Sequence, residues 1–207
     1  MLEETKQEIK QHIPNITEKQ TQNIERFVED AFLFNKKHNI FARRNLAEVY
    51  EKDVLDSLPL VREIQDAQQI LDLGSGGGFP GILVGILKPD LTVHLLEKNQ
   101  KKCYFLNKTI NALALKNTKV IKTTLNDKNN LKPYDLITAR AFSSTANILK
   151  LTKNNLVKDG QYILLKGRRE KILEEVESID TNKYKYEIIE IDNKKNERHF
   201  LKIKINE

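Results

Sequence analysis

The chain of 207 residues has a single cysteine, five prolines and no apolar run long enough to cross a membrane. A lone Cys103 excludes an internal disulfide framework and cannot build a cysteine-based zinc site. The longest apolar runs, such as Gly81–Leu87, fall far short of the ~20 residues a bilayer span requires. The opening MLEETKQEIK lacks the apolar core and cleavage site of a secretory signal, so a cytoplasmic location is expected. No internal repeat at a period of ~20–50 residues is visible, which argues against a solenoid. With 39 % hydrophobic and 31 % charged residues, the composition is that of a soluble globular protein, long enough to enclose a real core.

The formal net charge of +6 is unevenly spread. Residues 1–69 carry 10 basic and 13 acidic side chains, a net of −3, whereas residues 70–207 carry 25 and 16, a net of +9. A basic surplus confined to the last two thirds fits a polyanionic partner such as RNA. The 27 lysines are equally what an AT-rich genome would produce, so charge alone decides nothing.

The first third reads as helical. A weak helical segment covers Leu2–Ile13, and Pro14-Asn15 separates it from the next. Thr17 or Thr21 is suited to cap a helix whose Ile24, Phe27, Val28, Ala31 and Phe32 fall on one face. Another amphipathic stretch runs from Leu46 to Leu58 and is expected to end at Pro59. From Gln69 short apolar runs alternate with helical patterns. Strands are expected at Ile70–Leu73, Thr92–Leu96, Lys119–Lys122, Asp135–Thr138 and Tyr162–Leu165. The helices between them are Gly81–Leu87, Lys101–Leu115 and Thr145–Leu156, the second burying Cys103, Leu106, Ile110 and Leu113. That alternation implies βαβ crossovers and a mostly parallel sheet with helices on both sides. After a helix near Ile172–Ile179, the runs Tyr186–Ile191 and His199–Ile205 flank the polar stretch Asp192–Arg198 and suggest an antiparallel hairpin at one sheet edge. The sum is a Rossmann-like α/β fold of the type found in S-adenosylmethionine-dependent methyltransferases, with seven strands, mostly parallel, and an antiparallel C-terminal strand. Residues 1–66 are expected to pack as a helical segment on a core formed by 67–207, the whole being one compact unit.

The sharpest local feature is Ile70–Gly81, where a buried strand runs into five glycines within eight residues and then into a helix. Glycine is needed where backbone turns with positive φ or lets a ligand approach closely. Pro80 suits the first turn of the following helix, whose free N–H groups face whatever lies over the loop. Gly76, Gly78 and Gly81 fit the dinucleotide pattern G-x-G-x-x-G, but the frame from Asp72 reads D-x-G-x-G-x-G, the S-adenosylmethionine loop. Both classes want a carboxylate at the end of the next strand for ribose hydroxyls, and Glu97, 23 residues after Gly74, supplies it. A methyl donor is favoured over NAD because only 110 residues follow Glu97 and the four histidines are poorly placed for hydride chemistry. Methyl transfer asks mainly for orientation of donor and nucleophile. Arg140 stands at the carboxyl end of the fourth strand, where ligands of open α/β sheets bind. Lys166, Arg168 and Arg169 follow the fifth strand and could hold a phosphate backbone or form an ordinary solvated turn. Phe79 could stack on adenine or pack under the helix.

On these residues the chain resembles the bacterial RsmG family, also called glucose-inhibited division protein B, the 16S ribosomal RNA guanine-N7 methyltransferases. The resemblance rests on Leu55–Leu58, Leu71–Ile82, Leu96-Glu97 with Lys101-Lys102 and Phe105-Leu106, Ala139–Phe142, Leu165–Gly167 and Glu197–Phe200. It implies S-adenosylmethionine as cofactor and, as target, the guanine at 16S rRNA position 527, in the 530 loop of the small subunit. It implies cofactor contacts at Gly74, Phe79, Leu125-Asn126 and Arg140, with Gly76 and Gly78 completing the loop and Glu97 accepting from the ribose. Lys166 is the expected positioning residue, with Arg168, Arg169, Arg198 and His199 toward RNA, and the enzyme is expected to be monomeric, without metal. Three positions depart from the family pattern. Asn126 replaces an acidic residue, Lys52-Asp53 replaces Arg-His, and Asn39-Ile40-Phe41 stands where Asn-Leu-Thr is usual. The competing reading is an RNA-binding or ribosome-assembly factor that keeps the fold without turnover.

Overall fold

A computed structural model describes residues 3–64, 67–191 and 197–206. Helix α1 (Glu3–His12) precedes α2 (Glu18–His38), whose start is fixed by a reciprocal capping box between Thr17 and Gln20. Asn39 closes α2 in the left-handed region, and the Asn35 side chain accepts from the Phe41 N–H, so the chain turns sharply toward the sheet. The amphipathic stretch then forms α3 (Leu46–Val49), a π-helical segment (Tyr50–Leu55) and α4 (Asp56–Glu63). The expected stop at Pro59 does not occur. The proline falls in the first turn of α4, where the preceding π-turns have already interrupted the i→i−4 ladder, so its missing N–H breaks nothing.

The sheet contains β1 (Gln69–Leu73), β2 (Thr92–Glu97), β3 (Thr118–Lys122), β4 (Tyr134–Arg140), β5 (Leu156–Lys166), β6 (Tyr184–Ile191) and β7 (Arg198–Ile205). Helices α5 (Gly81–Leu87), α6 (Gln100–Ala112), α7 (Thr145–Leu151) and α8 (Arg169–Val176) connect them. The order is β3-β2-β1-β4-β5-β7-β6, parallel except for β7, which runs antiparallel to both β5 and β6. The expected hairpin is therefore present, with its second strand, not its first, joined to β5. Most of the polar stretch expected to connect it lies outside the described residues, as does residue 66 at the expected segment boundary. Helix α7 is five residues shorter than expected. Thr152 ends it by donating to the Ile148 carbonyl, and Tyr134 then recruits Asn155 and Leu156 into the sheet.

Strand alternation divides the core. Ile70, Val93, Leu95, Leu136 and Ile163 face one cluster, with Leu71, Leu73, Ile137, Leu164 and Leu201 facing the other. The first cluster also holds Ile9, Ile24, Phe27, Val28, Val54 and Leu58, so the N-terminal helices share a core with one face of the sheet. The second gathers Ile148, Leu149, Ile172 and Val176 of α7 and α8 on the opposite face. Among the described residues, no helix is long and apolar enough to cross a membrane. Phe27 is fully buried, 4.6 Å from the Phe79 ring. Phe27→Ala is expected to destabilise the protein by about 3–5 kcal/mol. Urea unfolding followed by circular dichroism and tyrosine fluorescence should show one coincident transition for wild type and variant. Two separated transitions would make the N-terminal helices an independent unit.

Candidate active site

Strand order reverses at β1, whose neighbours β2 and β4 lead to opposite halves of the sheet, and such a switch point opens a crevice at the carboxyl ends of the strands. A cleft of about 540 Å³ lies there. Its wall is built from the glycine loop, the end of β4, the β5 and β7 ends and the turn after α2.

The loop leaves β1 with Gly74 and Gly76 at φ of +68° and +56°, conformations that side chains resist. The Gly74 and Ser75 amides both donate to the Leu96 carbonyl, which bends the loop across the end of β2. A Cβ on Gly74 would strike the Phe142 ring at 2.5 Å, whereas one on Gly76 would meet nothing nearer than a carbonyl at 3.6 Å, so the rim at Gly76 is open. Glu97 is the hub of this region. Its carboxylate accepts from the Gly76 N–H at 3.0 Å and the Asn99 N–H at 2.8 Å, tying the loop to the start of α6. Asn99 in turn caps α6 by accepting from the Lys102 N–H. Beneath the loop, Asp72 is buried and its Oδ2 has no hydrogen-bond partner among the described residues. Burial pushes its carboxyl up to about 6, against the pull of the Arg140 guanidinium.

The basic wall is held by acids of the N-terminal segment. Asp53, 1 % exposed, accepts two bonds from Arg43, at 2.8 and 2.9 Å, and one from Arg140 at 2.7 Å. Arg140 also donates to the Lys52 carbonyl, and its guanidinium lies 5.8 Å from the centre of the Phe79 ring. Next to this cluster Arg198 of β7 pairs with Asp56 at 2.6 Å. Two of the motifs singled out in the sequence, around Asp56 and around Arg198, are thus the two ends of one ion pair. On the far wall Lys166 pairs with Glu175 of α8 at 2.6 Å, and Glu175 also accepts from the Thr145 hydroxyl and N–H. Burial alone would raise the Glu175 carboxyl, but these bonds outweigh it and hold it below its ordinary value. His199, directly opposite Lys166 in the β5–β7 register, is fixed by a 2.8 Å bond from Nδ1 to the Gly167 carbonyl. A carbonyl only accepts, so Nδ1 carries the proton and a neutral ring leaves Nε2 as an acceptor.

Of the residues expected from sequence, Gly74, Gly76, Phe79, Arg140, Lys166, Arg198 and His199 line the cleft. Gly78 and Glu97 are not among its lining residues, but Glu97 borders it through its bond to the Gly76 N–H. The Phe79 ring lines the cleft but is only 4 % exposed, and it packs against the rings of Phe27 and Phe41. Leu125 is buried in the second core cluster, and the exposed Asn126 uses Oδ1 to accept from the Lys128 N–H. Neither lines the cleft. Arg168 and Arg169 are exposed just beyond the cleft, with the Arg169 N–H bound by Glu197. The ammonium of Lys166, the expected positioning residue, is held by Glu175. Sequence reading missed Arg43 and Glu175, and treated Asp53 only as a departure. The signal for Asp53 was present: an acid on the apolar face of an amphipathic stretch must find a cation. The departure at Asn39-Ile40-Phe41 also gains a reason, since Phe41 lies against Gly77, where a Cβ would be 2.6 Å from its ring.

Two consequences can be measured. Asp72 keeps its proton to about pH 6 when folded, against an ordinary value of 3.8. Its contribution to stability is therefore complete below pH 4 and is lost as pH rises through 6. Asp72→Asn should match wild type near pH 4 and exceed it by up to about 3 kcal/mol at pH 8 in denaturant titrations. A difference independent of pH would contradict this. Asp53→Ala leaves two guanidiniums without a counter-charge. With both about a quarter exposed, the expected loss is about 1–3 kcal/mol, read as a lower denaturant midpoint at unchanged m-value. A midpoint equal to wild type would show that the cluster holds nothing.

Comparisons with known proteins bear on this cleft. A curated relative from Chromobacterium violaceum, a ribosomal RNA small subunit methyltransferase G, is 37 % identical over 164 residues, covering 79 % of this chain and 78 % of its own. Another of the same name from Ruthia magnifica is 40 % identical over 134 residues, covering 65 % and 66 %. Among solved structures, a methyltransferase from Geobacter sulfurreducens superposes with a TM-score of 0.61 over 87 % of this chain and 88 % of its own, at 14 % identity, a likeness of fold. The family model GidB, rRNA small subunit methyltransferase G, matches residues 20–201, which takes in all but the first two residues of α2, the glycine loop and both partners of the Asp56–Arg198 pair, and the chain belongs to that family.

Proposed function

We propose that the protein methylates N7 of a guanine in 16S rRNA, at position 527 of the small subunit. As a member of its family it is an S-adenosylmethionine-dependent rRNA methyltransferase. The observation that carries the finer reading is the composition of the cleft at the switch point. The open glycine rim meets a wall with Arg43, Lys52, Lys102, Arg140, Lys166 and Arg198 against the carboxylates of Asp56 and Glu175. Counting the buried Asp53 behind them, the wall remains positive, as a substrate with a phosphate backbone requires.

The residues fit the cofactor. Gly74 and Gly76 form a cradle whose rim a side chain would fill, and each oxygen of the Glu97 carboxylate has a lone pair left beyond its bond to a backbone N–H. Glu97 is therefore the residue to receive ribose hydroxyls. When bound, S-adenosylmethionine supplies a methyl group already activated on a sulfonium, so an unprotonated ring nitrogen such as guanine N7 needs no general base. The protein's own work is positioning. Lys166, held by Glu175, keeps two N–H donors for O6 of the base or a neighbouring phosphate. Arg43 and Arg140, fixed by Asp53, and Arg198, fixed by Asp56, present ordered cations with little entropy left to lose. A splayed loop base is captured in this way by edge hydrogen bonds and stacking. Residues 1–66 belong to the same compact unit as 67–207, and the enzyme acts as a cytoplasmic monomer.

The test is primer extension after chemical cleavage at 7-methylguanosine, on 16S rRNA from cells with and without the gene. A stop at position 527 is expected only with the gene, and a stop in both or neither overturns the assignment. Cells carrying Lys166→Ala should show partial modification, and full modification at wild-type protein levels removes Lys166 from base positioning.

A further inference from the structure

A second concavity of about 700 Å³ lies beside the cleft, between the end of α2 and the start of α6. The two share a wall, because Ile40 and Lys102 line both. The floor of the groove is aromatic. Phe34 packs 4.2 Å from the His38 ring and 6.3 Å from that of Tyr104. Tyr104 is 65 % exposed, an unusual position for a large ring on a helix whose other face is buried in the core. It stands on α6 between Lys101 and Lys108, at helical spacings that align the three on one exposed stripe. Lys36 and Lys37 stand in the last turn of α2, next to the groove but outside its lining, and the Lys36 ammonium lies 4.9 Å from the centre of the Phe32 ring.

The charge of this surface has one sign. No acidic side chain lines the groove, and Lys36, Lys37, Lys101 and Lys102 have no ion pair among the described residues. This contrasts with the main cleft, where Arg43, Arg140, Lys166 and Arg198 are each held by a carboxylate. Lys101 and Lys102 also occupy the first turn of α6, where the helix dipole disfavours cations and which contains no acidic residue of its own. An anion placed at that turn relieves both the crowding of lysines and the dipole. Exposed aromatic rings interleaved with unpaired lysines are the surface that grips single-stranded nucleic acid, with bases stacked on rings and phosphates on ammonium groups.

We infer that this groove is a second RNA subsite, which stacks an unpaired nucleotide flanking the target on Tyr104 and holds its phosphate at Lys101 and Lys102. The inference rests on the RNA-methylating reading of the adjacent cleft and extends it. It gives the N-terminal helices a share in substrate binding, since Phe34, His38, Asn39 and Ile40 form one side of the groove.

The test uses the full-length protein and a fluorescently labelled RNA hairpin carrying the 530-loop sequence, with binding followed by anisotropy. Loss of one stacked base corresponds to roughly 5- to 150-fold in affinity, so Tyr104→Ala should weaken binding at least about fivefold and Tyr104→Phe should restore it. Lys101→Gln should lower the slope of log affinity against log salt by about 0.7. Binding of S-adenosylhomocysteine, measured by calorimetry, should be unchanged in all three variants. A Tyr104→Ala affinity within about twofold of wild type overturns the subsite. So does normal hairpin binding combined with loss of methylation of the assembled small subunit, which would assign the groove to a ribosomal protein. A wild-type protein that binds the hairpin through Tyr104 but leaves 16S rRNA unmethylated would instead refute the catalytic reading and keep the subsite.

Discussion

Everything at the mouth of the cleft depends on a buried carboxylate with two guanidiniums upon it. Asp53 sits in a π-helical turn, Arg43 in the loop before α3 and Arg140 at the end of β4, so this contact joins three separate stretches of chain. A buried charge is costly without partners, and a lone pair of opposite charges often just breaks even against its desolvation. Here the cluster carries a net positive charge and opens on a cleft, where the surplus is useful. The arginines are aimed before any ligand arrives, which is the condition for electrostatic stabilisation without reorganisation.

The same contact changes the meaning of the charge asymmetry. The sequence divides into an acidic first third and a basic remainder, and the obvious reading sends the whole basic surplus outward to RNA. In the fold a share of it is turned inward. Asp53 holds Arg140, Asp56 holds Arg198 and Glu63 holds Lys202, each pair joining the N-terminal segment to the sheet. The acidic segment is the counterpart that docks the helices on the sheet and orders the basic wall. What is left for an external polyanion is the basic surplus without such partners, and Lys101 and Lys102 at the start of α6 belong to it.

The fold was largely legible because its signals are local and periodic. Alternating apolar runs marked the strands β1 to β5 and the final hairpin, and the density of glycine marked the loop. Thr17 marked the start of α2 through a capping box that needs only four residues. Errors came where long-range contacts overruled local signs. Pro59 failed to stop a helix already irregular before it, and Thr152 and Tyr134 drew the end of the α7 pattern into the sheet. The site was legible at the glycine loop and at Glu97, where one loop and one strand end suffice. It was poorly legible on the opposite wall, because nothing in the sequence couples residue 53 to 140, or 56 to 198, and because Phe79 and Leu125 read alike whether packed or exposed to a ligand.

Placing β7 between β5 and β6 has a consequence for how the enzyme comes into being. The cradle of Gly74 and Gly76 needs only neighbouring βαβ units, which assemble from short-range contacts. The opposing wall waits for a strand that follows every other in chain order and must insert between two already made, bringing Arg198 to an acid 142 positions earlier. The two halves of the cleft are thus completed at different moments. A chain folded as far as β6 already possesses the glycine loop and the Asp53 cluster while lacking the Asp56–Arg198 pair and the His199–Gly167 contact, so that side of the cleft closes only with the last strand.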